Sequence, residues 1–111
     1  MTTSPQTCLI TGASGGVATA LADALRAEGW RLALVARDSA RIAHVDGEIA
    51  IEADVSTEAG ARSAFDAAKA AFGAAPDAVV NCAGAVLIAP IARTSEQQYR
   101  DCLSANLDTA F

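Results

Sequence analysis

Hydrophobic positions along the chain follow two alternating rhythms. Thr7 to Ile10 is a short, nearly continuous apolar run, as in a strand buried on both faces, and Arg31 to Ala36 (RLALVA) repeats the pattern. Between them, from Gly16 to Glu28, the larger apolar residues Val17, Leu21 and Leu25, with Ala24 beside them, form a helical stripe that Gly29 stops. A short polar segment around Arg37 to Val45 predicts a small helix. Glu48 to Asp54 (EIAIEAD) alternates, with Ile49, Ile51 and Ala53 on one face and Glu52 on the other, which suits an edge strand. Ser56 and Glu58 mark the next helix start. Ala61, Ala64, Phe65, Ala68 and Phe72 form its stripe, and Gly73 and Pro76 end it. Asp77 to Gly84 (DAVVNCAG) predicts a fourth strand running into a glycine turn. Beyond Pro90, Thr94 and Gln97 stand at capping-box spacing. The last helix carries Tyr99, Cys102, Leu103, Asn106 and Ala110 on one face.

Four strand–helix alternations predict a doubly wound α/β fold, a parallel sheet with helices on both faces. Right-handed crossovers favour strand order 3-2-1-4, and the alternating third strand suits an edge. At 111 residues the chain makes one domain, 1–111, with no internal repeat and no linker. Over half the residues are hydrophobic, but many are alanines, which suits thin helices packed closely on a sheet.

Charge and cysteines then narrow the partners. Thirteen acidic against eight basic residues give a net charge of −5, which disfavours nucleic acid and anionic membrane. Cys8, Cys82 and Cys102 have neither metal-ligand nor Cys-x-x-Cys spacing. The start, MTTSPQTCLITG, lacks a basic segment and a long apolar core, and no run has membrane-spanning length. A cytoplasmic protein with reduced thiols is therefore expected.

The stretch TGASGGVA, Thr11 to Ala18, joins the first strand to the first helix. A helix N-terminus presents unpaired N–H groups and a partial positive charge, an anion site wherever side chains leave room. Gly12 permits the sharp turn, and Gly15 and Gly16 let the backbone approach a phosphate. Ser14 offers a hydroxyl, and small Ala18 allows close helix–strand packing. This placement favours nucleotide binding over a merely tight loop. A phosphate loop of the NTPase kind is excluded, because it needs Gly-Lys-Ser/Thr and the only lysine is Lys69.

TGASGGVA, Asp54-Val55, Asn81-Cys82-Ala83-Gly84 and Asn106-Leu107 together resemble, in order and spacing, the short-chain dehydrogenase/reductase family, over nearly the whole chain. The resemblance implies a Rossmann-like sheet, cut off here before its fifth strand, and a nicotinamide cofactor. It assigns cofactor contacts to Gly12, Ser14, Gly15, Gly16, Val17, Arg37, Asp54, Val55, Asn81, Ala83 and Gly84. An acid ending the second strand would bind the 2′-hydroxyl of NAD and repel the 2′-phosphate of NADP. Here Ala36-Arg37 stands instead, implying NADP(H), with NAD(H) as the alternative and an Arg37–Asp38 pair as the bland reading of that arginine. The Asp54-Val55 pair would hold adenine, or Asp54 would only initiate the helix. Cys82 varies the family's Asn-Asn-Ala-Gly turn and reads as a packing group, and His44 as a surface residue. Asn106, on the apolar face, resembles the family's catalytic Asn, which holds a water for proton relay. Its bland reading is a structural residue that kinks the helix.

The same family uses a Tyr, a Lys four residues later and a Ser for the chemistry. The single tyrosine, Tyr99, is followed at that spacing by Leu103, and Lys69 lies thirty residues earlier. The expectation is thus the cofactor-binding part of a carbonyl/alcohol oxidoreductase, acting on a small carbonyl or alcohol only with further chain, and assembling as a homo-oligomer. The alternatives are an inactive nucleotide-binding protein or scaffold, and a fragment of the extended, epimerase-like branch, whose glycine spacing Gly12, Gly15 and Ala18 also satisfy.

Overall fold

The computed structural model describes residues 6–45, 47–85 and 88–110. The start of the chain, read above for a leader, lies partly outside them, as does Phe111. Strands β1 (Thr7–Thr11), β2 (Arg31–Ala36), β3 (Ile49–Glu52) and β4 (Ala78–Asn81) pair in parallel in the order β3-β2-β1-β4. This is the order expected from the crossovers. Among the described residues, no helix is long and apolar enough to cross a membrane.

Period-two alternation in the two central strands builds two cores at once. Cys8 and Ile10 of β1 and Leu32 and Leu34 of β2 face α1 (Gly16–Ala27), where they meet Ala18 and Ala22. Leu9, Ala33 and Val35 face α2 (Glu58–Phe72), where they meet Ala64 and Ala68, with Ile51 of β3 beside them. Ile10, Leu32 and Leu34 are at most 2% exposed, and each such burial is worth about 1.5–3 kcal/mol. Alanines on the helix faces keep the helices near the sheet.

That closeness shifts the helix faces from the expected stripes. Val17 is 77% exposed, and the inward residues of α1 are Ala18, Leu21, Ala22 and Leu25. In α2 the alanines Ala64 and Ala68 take the centre, while Ala61 and Phe65 lie outside. The cap of α2 is Thr57, whose hydroxyl accepts from Gly60 N–H at 3.0 Å, because Ser56 is turned toward Asp54. The small helix expected within Arg37–Val45 contracts to a 3₁₀ turn, Ser39–Arg41, capped by Asp38. Helix α3 (Glu96–Leu103) has its capping box one residue later than expected, at Ser95 and Gln98. Thr94 is unavailable for it, since its hydroxyl donates to the Pro90 carbonyl at 3.1 Å and closes the Ile91–Arg93 turn.

Two polar ties hold the frame. The Asp77 carboxylate accepts from Thr7 N–H at 2.9 Å, and Asp77 N–H donates to the Thr7 hydroxyl at 3.0 Å, fixing the start of β4 against β1. Arg26, near the end of α1, grips Glu48 with both Nε (2.7 Å) and Nη2 (2.8 Å), anchoring the entry to β3. Burial pushes the Glu48 carboxyl up. Hydrogen bonds from Arg26 and Val45 N–H, with the charges of Arg26 and His44, outweigh it and hold the group below its usual range.

A carboxyl depressed in the folded state contributes stability above its unfolded pKa, about 4.3, and loses it as pH falls through the folded value. Glu48→Gln should lower urea-unfolding stability at neutral pH by about 1–2 kcal/mol, and should make the loss between about pH 5 and pH 3 shallower. Acid sensitivity identical to the unsubstituted chain would show that the Arg26 grip contributes nothing.

Candidate functional site

A cavity of about 690 Å³ opens at the C-terminal ends of the strands, within the size range of small-ligand pockets, roughly 300–1,000 Å³. Gly12, Ser14, Gly15, Arg37, Asp54, Val55, Ala83 and Gly84 are on its wall. Of the candidate contacts, Gly16, Val17 and Asn81 are not. Gly16 and Val17 are exposed, and Asn81 serves the fold.

Gly12 has φ +66°, and a Cβ there would lie 2.5 Å from Ala83 N and 2.6 Å from the Cys82 carbonyl carbon. The turn after β1 therefore passes backbone-to-backbone beneath the turn after β4. Ala13 N–H donates to Val35 O at 2.9 Å, which aims the chain into α1. Gly15 is the N-cap residue and supplies no side-chain cap, the first turn of α1 holds no acid, and a Cβ on Gly16 would meet nothing within 4 Å. The N–H groups and positive dipole end of α1 are left open.

At the end of β2, Arg37 is exposed on the cavity wall. Among the described residues it forms no ion pair, and Asp38 spends its carboxylate on Ala40 N–H at 3.0 Å. The Arg37–Asp38 pairing weighed above is not formed. Beyond β3, Asp54 accepts from the Ser56 hydroxyl (2.6 Å) and N–H (3.0 Å). Those bonds, the hydroxyl first, and the charge of Arg37 hold its carboxyl below the usual range despite some burial. It is ionised at neutral pH.

The Asp54 turn depends on a residue that sequence reasoning passed over. A Cβ at Gly60, in the first turn of α2, would lie 1.8 Å from the Asp54 carbonyl oxygen. The available signal was a glycine inside an alanine-rich helix, where it costs about 1 kcal/mol relative to alanine.

Asn81 accepts from the Thr11 hydroxyl and from Ala83 N–H (3.3 Å), joining the ends of β1 and β4 and bending the following turn. Asn106 is exposed rather than buried, yet its amide is well engaged. It accepts from Ala85 N–H (3.1 Å) and donates to the Ala85 carbonyl (2.8 Å) and to the Cys102 carbonyl four residues back (2.9 Å). This residue sits in a π turn, Ser104–Asp108, that continues α3. Gly84 completes the clasp, because a Cβ there would be 2.8 Å from Asn106 Oδ1.

α3 meets the cavity with Gln98, Asp101 and Cys102, and the π turn and its exit continue that stripe with Ala105 and Thr109. Their spacing is helical. Tyr99, Leu103 and Leu107 occupy another face and remain exposed, so Cys102 does not share a face with them as expected. Nothing in the composition of this polar half of the helix marks it as a wall.

The glycines give a contrast that thermal unfolding can read. Gly12→Ala and Gly60→Ala should each destabilise by about 2 kcal/mol or more, since backbone must move. Gly16→Ala should be neutral or stabilising by up to about 1 kcal/mol. Equal effects at all three positions would contradict the close approaches described.

Comparison with known proteins adds four findings. A family model described as short chain dehydrogenase matches residues 6–111. The chain is 31% identical, over an alignment of 110 residues, to an NADP-dependent (R)-specific alcohol dehydrogenase of Lentilactobacillus kefiri, covering 93% of this chain and 43% of that protein. It is 33% identical to a D-threitol dehydrogenase of Mycolicibacterium smegmatis, covering 93% of this chain and 42% of the relative. Among solved structures it resembles the 3-ketoacyl-(acyl-carrier-protein) reductase of Brucella melitensis complexed with NADH, with a TM-score of 0.85 at 27% identity, over 95% of this chain and 46% of that one. The chain thus spans less than half the length of each of these proteins.

Proposed function

The chain belongs to the short-chain dehydrogenase family, and from that premise we propose that residues 1–111 form one domain that holds NADP(H), in preference to NAD(H), for hydride transfer between a small carbonyl and its alcohol. The observation that carries this reading is Arg37, exposed on the cavity wall and, among the described residues, in no ion pair, where β2 ends in Ala36 and not in an acid. A guanidinium there pairs with a 2′-phosphate, which an acid would repel. One curated relative is described as NADP-dependent and one similar structure contains NADH, so the preference rests on this side chain.

The residues present fit such a cofactor. Open space before Gly16 and the uncapped start of α1 suit the pyrophosphate, with the Ser14 hydroxyl at hand. Asp54, ionised, accepts from the adenine amine, and Val55 packs beside the ring. Ala83 and Gly84 line the path of the cofactor, and Asn81 shapes that turn without lying on the wall. Gly16 and Val17 contribute backbone at the helix start. When bound, the nicotinamide supplies or accepts the hydride. Asn106 keeps the turn at Ala85 in place and orients a water for proton transfer. Three free thiols suit a reducing compartment such as the cytoplasm. Exposed Tyr99, Leu103 and Leu107, with the outer edge of β4, suit contact with a second copy.

Fluorescence titration should show tighter binding of NADPH than of NADH. Arg37→Ala should weaken NADPH by about tenfold to a hundredfold and leave NADH little changed. Ala36→Asp should reverse the order. Equal affinities, indifferent to Arg37, would refute the preference.

Residues 1–111 contain no Tyr-x-x-x-Lys pair, and a positioned acid contributes typically a hundred- to ten-thousand-fold. The chain alone should therefore bind NADPH without oxidising it against a panel of carbonyls. Carbonyl-dependent oxidation abolished by Tyr99→Phe would instead place an active site at Tyr99.

A further inference from the structure

Arg37 is a long side chain on a short link, between the end of β2 at Ala36 and the 3₁₀ turn Ser39–Arg41. What holds that link decides where the guanidinium can reach. The near end is fixed by the sheet, because Ala36 pairs with Glu52 in the β2–β3 register and its carbonyl accepts from Ala53 N–H at 3.0 Å. The far end is fixed by Ile42, 6% exposed in the α1-side core. Between them, Asp38 accepts from Ala40 N–H with its carboxylate and from Arg41 N–H with its carbonyl (3.2 Å). Those two bonds shape the turn from within and do not tie it to the sheet. Glu52 supplies the tie, its carboxylate accepting from Ser39 N–H at 3.2 Å, thirteen residues away. Among the described residues, it is the only side chain from outside Arg37–Arg41 that hydrogen-bonds to this segment.

Glu52 is not on the cavity wall, and it shares its face of β3 with Ala50, which packs against the α1-side core. It acts on the backbone beside Arg37 and touches no ligand. Arg37 also has a competing partner at hand. Its charge already reaches the Asp54 carboxyl beyond the neighbouring strand, yet the two form no ion pair. A link free to shift toward β3 would let the guanidinium close on Asp54 and spend its charge inside the protein.

We propose that Glu52 is a positioning residue for cofactor selection, which by holding Ser39 N–H keeps Arg37 open to the 2′-phosphate. The proposal rests on the NADP(H) reading given above and extends the preference from one side chain to two. The carboxylate's own charge repels a nearby phosphate, so its hydrogen bond and its charge act in opposite directions.

The experiment titrates the full chain with NADPH and NADH by fluorescence, using Glu52→Gln and Glu52→Ala, each alone and combined with Arg37→Ala. Glutamine offers an amide oxygen to Ser39 N–H, alanine offers none, and both lack the charge. The difference between these two variants therefore reads the hydrogen bond alone. Glu52→Gln should bind NADPH at least as tightly as the unsubstituted chain. Glu52→Ala should bind NADPH about threefold or more weakly than Glu52→Gln does, while the two bind NADH equally. With Arg37→Ala added, the difference should vanish. The NADH titration controls for folding, since a damaged domain loses both dinucleotides together. Equal NADPH affinities of the two variants, a parallel loss of NADH, or a difference that survives Arg37→Ala would overturn this proposal alone. Equal binding of NADPH and NADH by the unsubstituted chain, indifferent to Arg37→Ala, would overturn the NADP(H) reading, and this proposal with it.

Discussion

The ends of the central strand and of its outer neighbour come together closely enough to exclude a β-carbon. At Gly12 the backbone turns at positive φ while the Cys82–Ala83 backbone crosses within 2.7 Å of where a side chain would begin. Everything beyond β1 takes its position from that crossing. It sets where α1 starts, how far its open N–H groups stand from the end of β2, and how the turn after β4 overlies them. No larger residue could occupy the position without separating β1 from β4 at the point where the cavity opens.

Around that crossing, short polar side chains fix the backbone of the loops. Asp54 holds Ser56, Asn81 holds Ala83 and the Thr11 hydroxyl, and Asn106 holds Ala85 from twenty-one residues away. Each acts over one or two hydrogen bonds, individually worth about 1 kcal/mol, and together they define the rim. Arg37 differs from them: among the described residues it forms no ion pair, and it acts on the rim only through its charge on Asp54. A rim held by its own side chains needs little further ordering when a ligand enters.

The sheet was readable because both central strands are buried on both faces and leave continuous apolar runs, and because the third strand alternates as an edge should. Chain patterning placed the helices and most of their inward faces: Leu21, Leu25, Ala64, Ala68 and Phe72 pack against the two cores as expected. Val17, Ala61 and Phe65 lie outside, and Ala18 and Ala22 take the centre of the α1 face. The capping box slipped by one residue because Thr94 and Ser95 are equally good caps in sequence, and only the Pro90 carbonyl decides between them. At the site, the glycine turn, Asp54 and Arg37 were legible from their positions at strand ends. Gly60 and the polar stripe of α3 were not, since their importance arises from contacts between segments distant in sequence.

The placement of β1 has a consequence for the order of folding. This first strand lies between β2 and β4, and its tie to Asp77 joins residues seventy positions apart. Closing a loop of that length costs about 4 kcal/mol of chain entropy, growing only slowly with length, before any pairing offsets it. The β1–β2 unit with α1 closes far shorter loops and so can form first, as a two-stranded nucleus with one side of β1 still open. β4 then docks late, and with it the Gly12–Ala83 crossing that completes the cavity. During synthesis, the outer edge of β1 stays unpaired until the ribosome has delivered the residues of β4. Strand β1, made before both of its neighbours, is among the last to have both edges sealed.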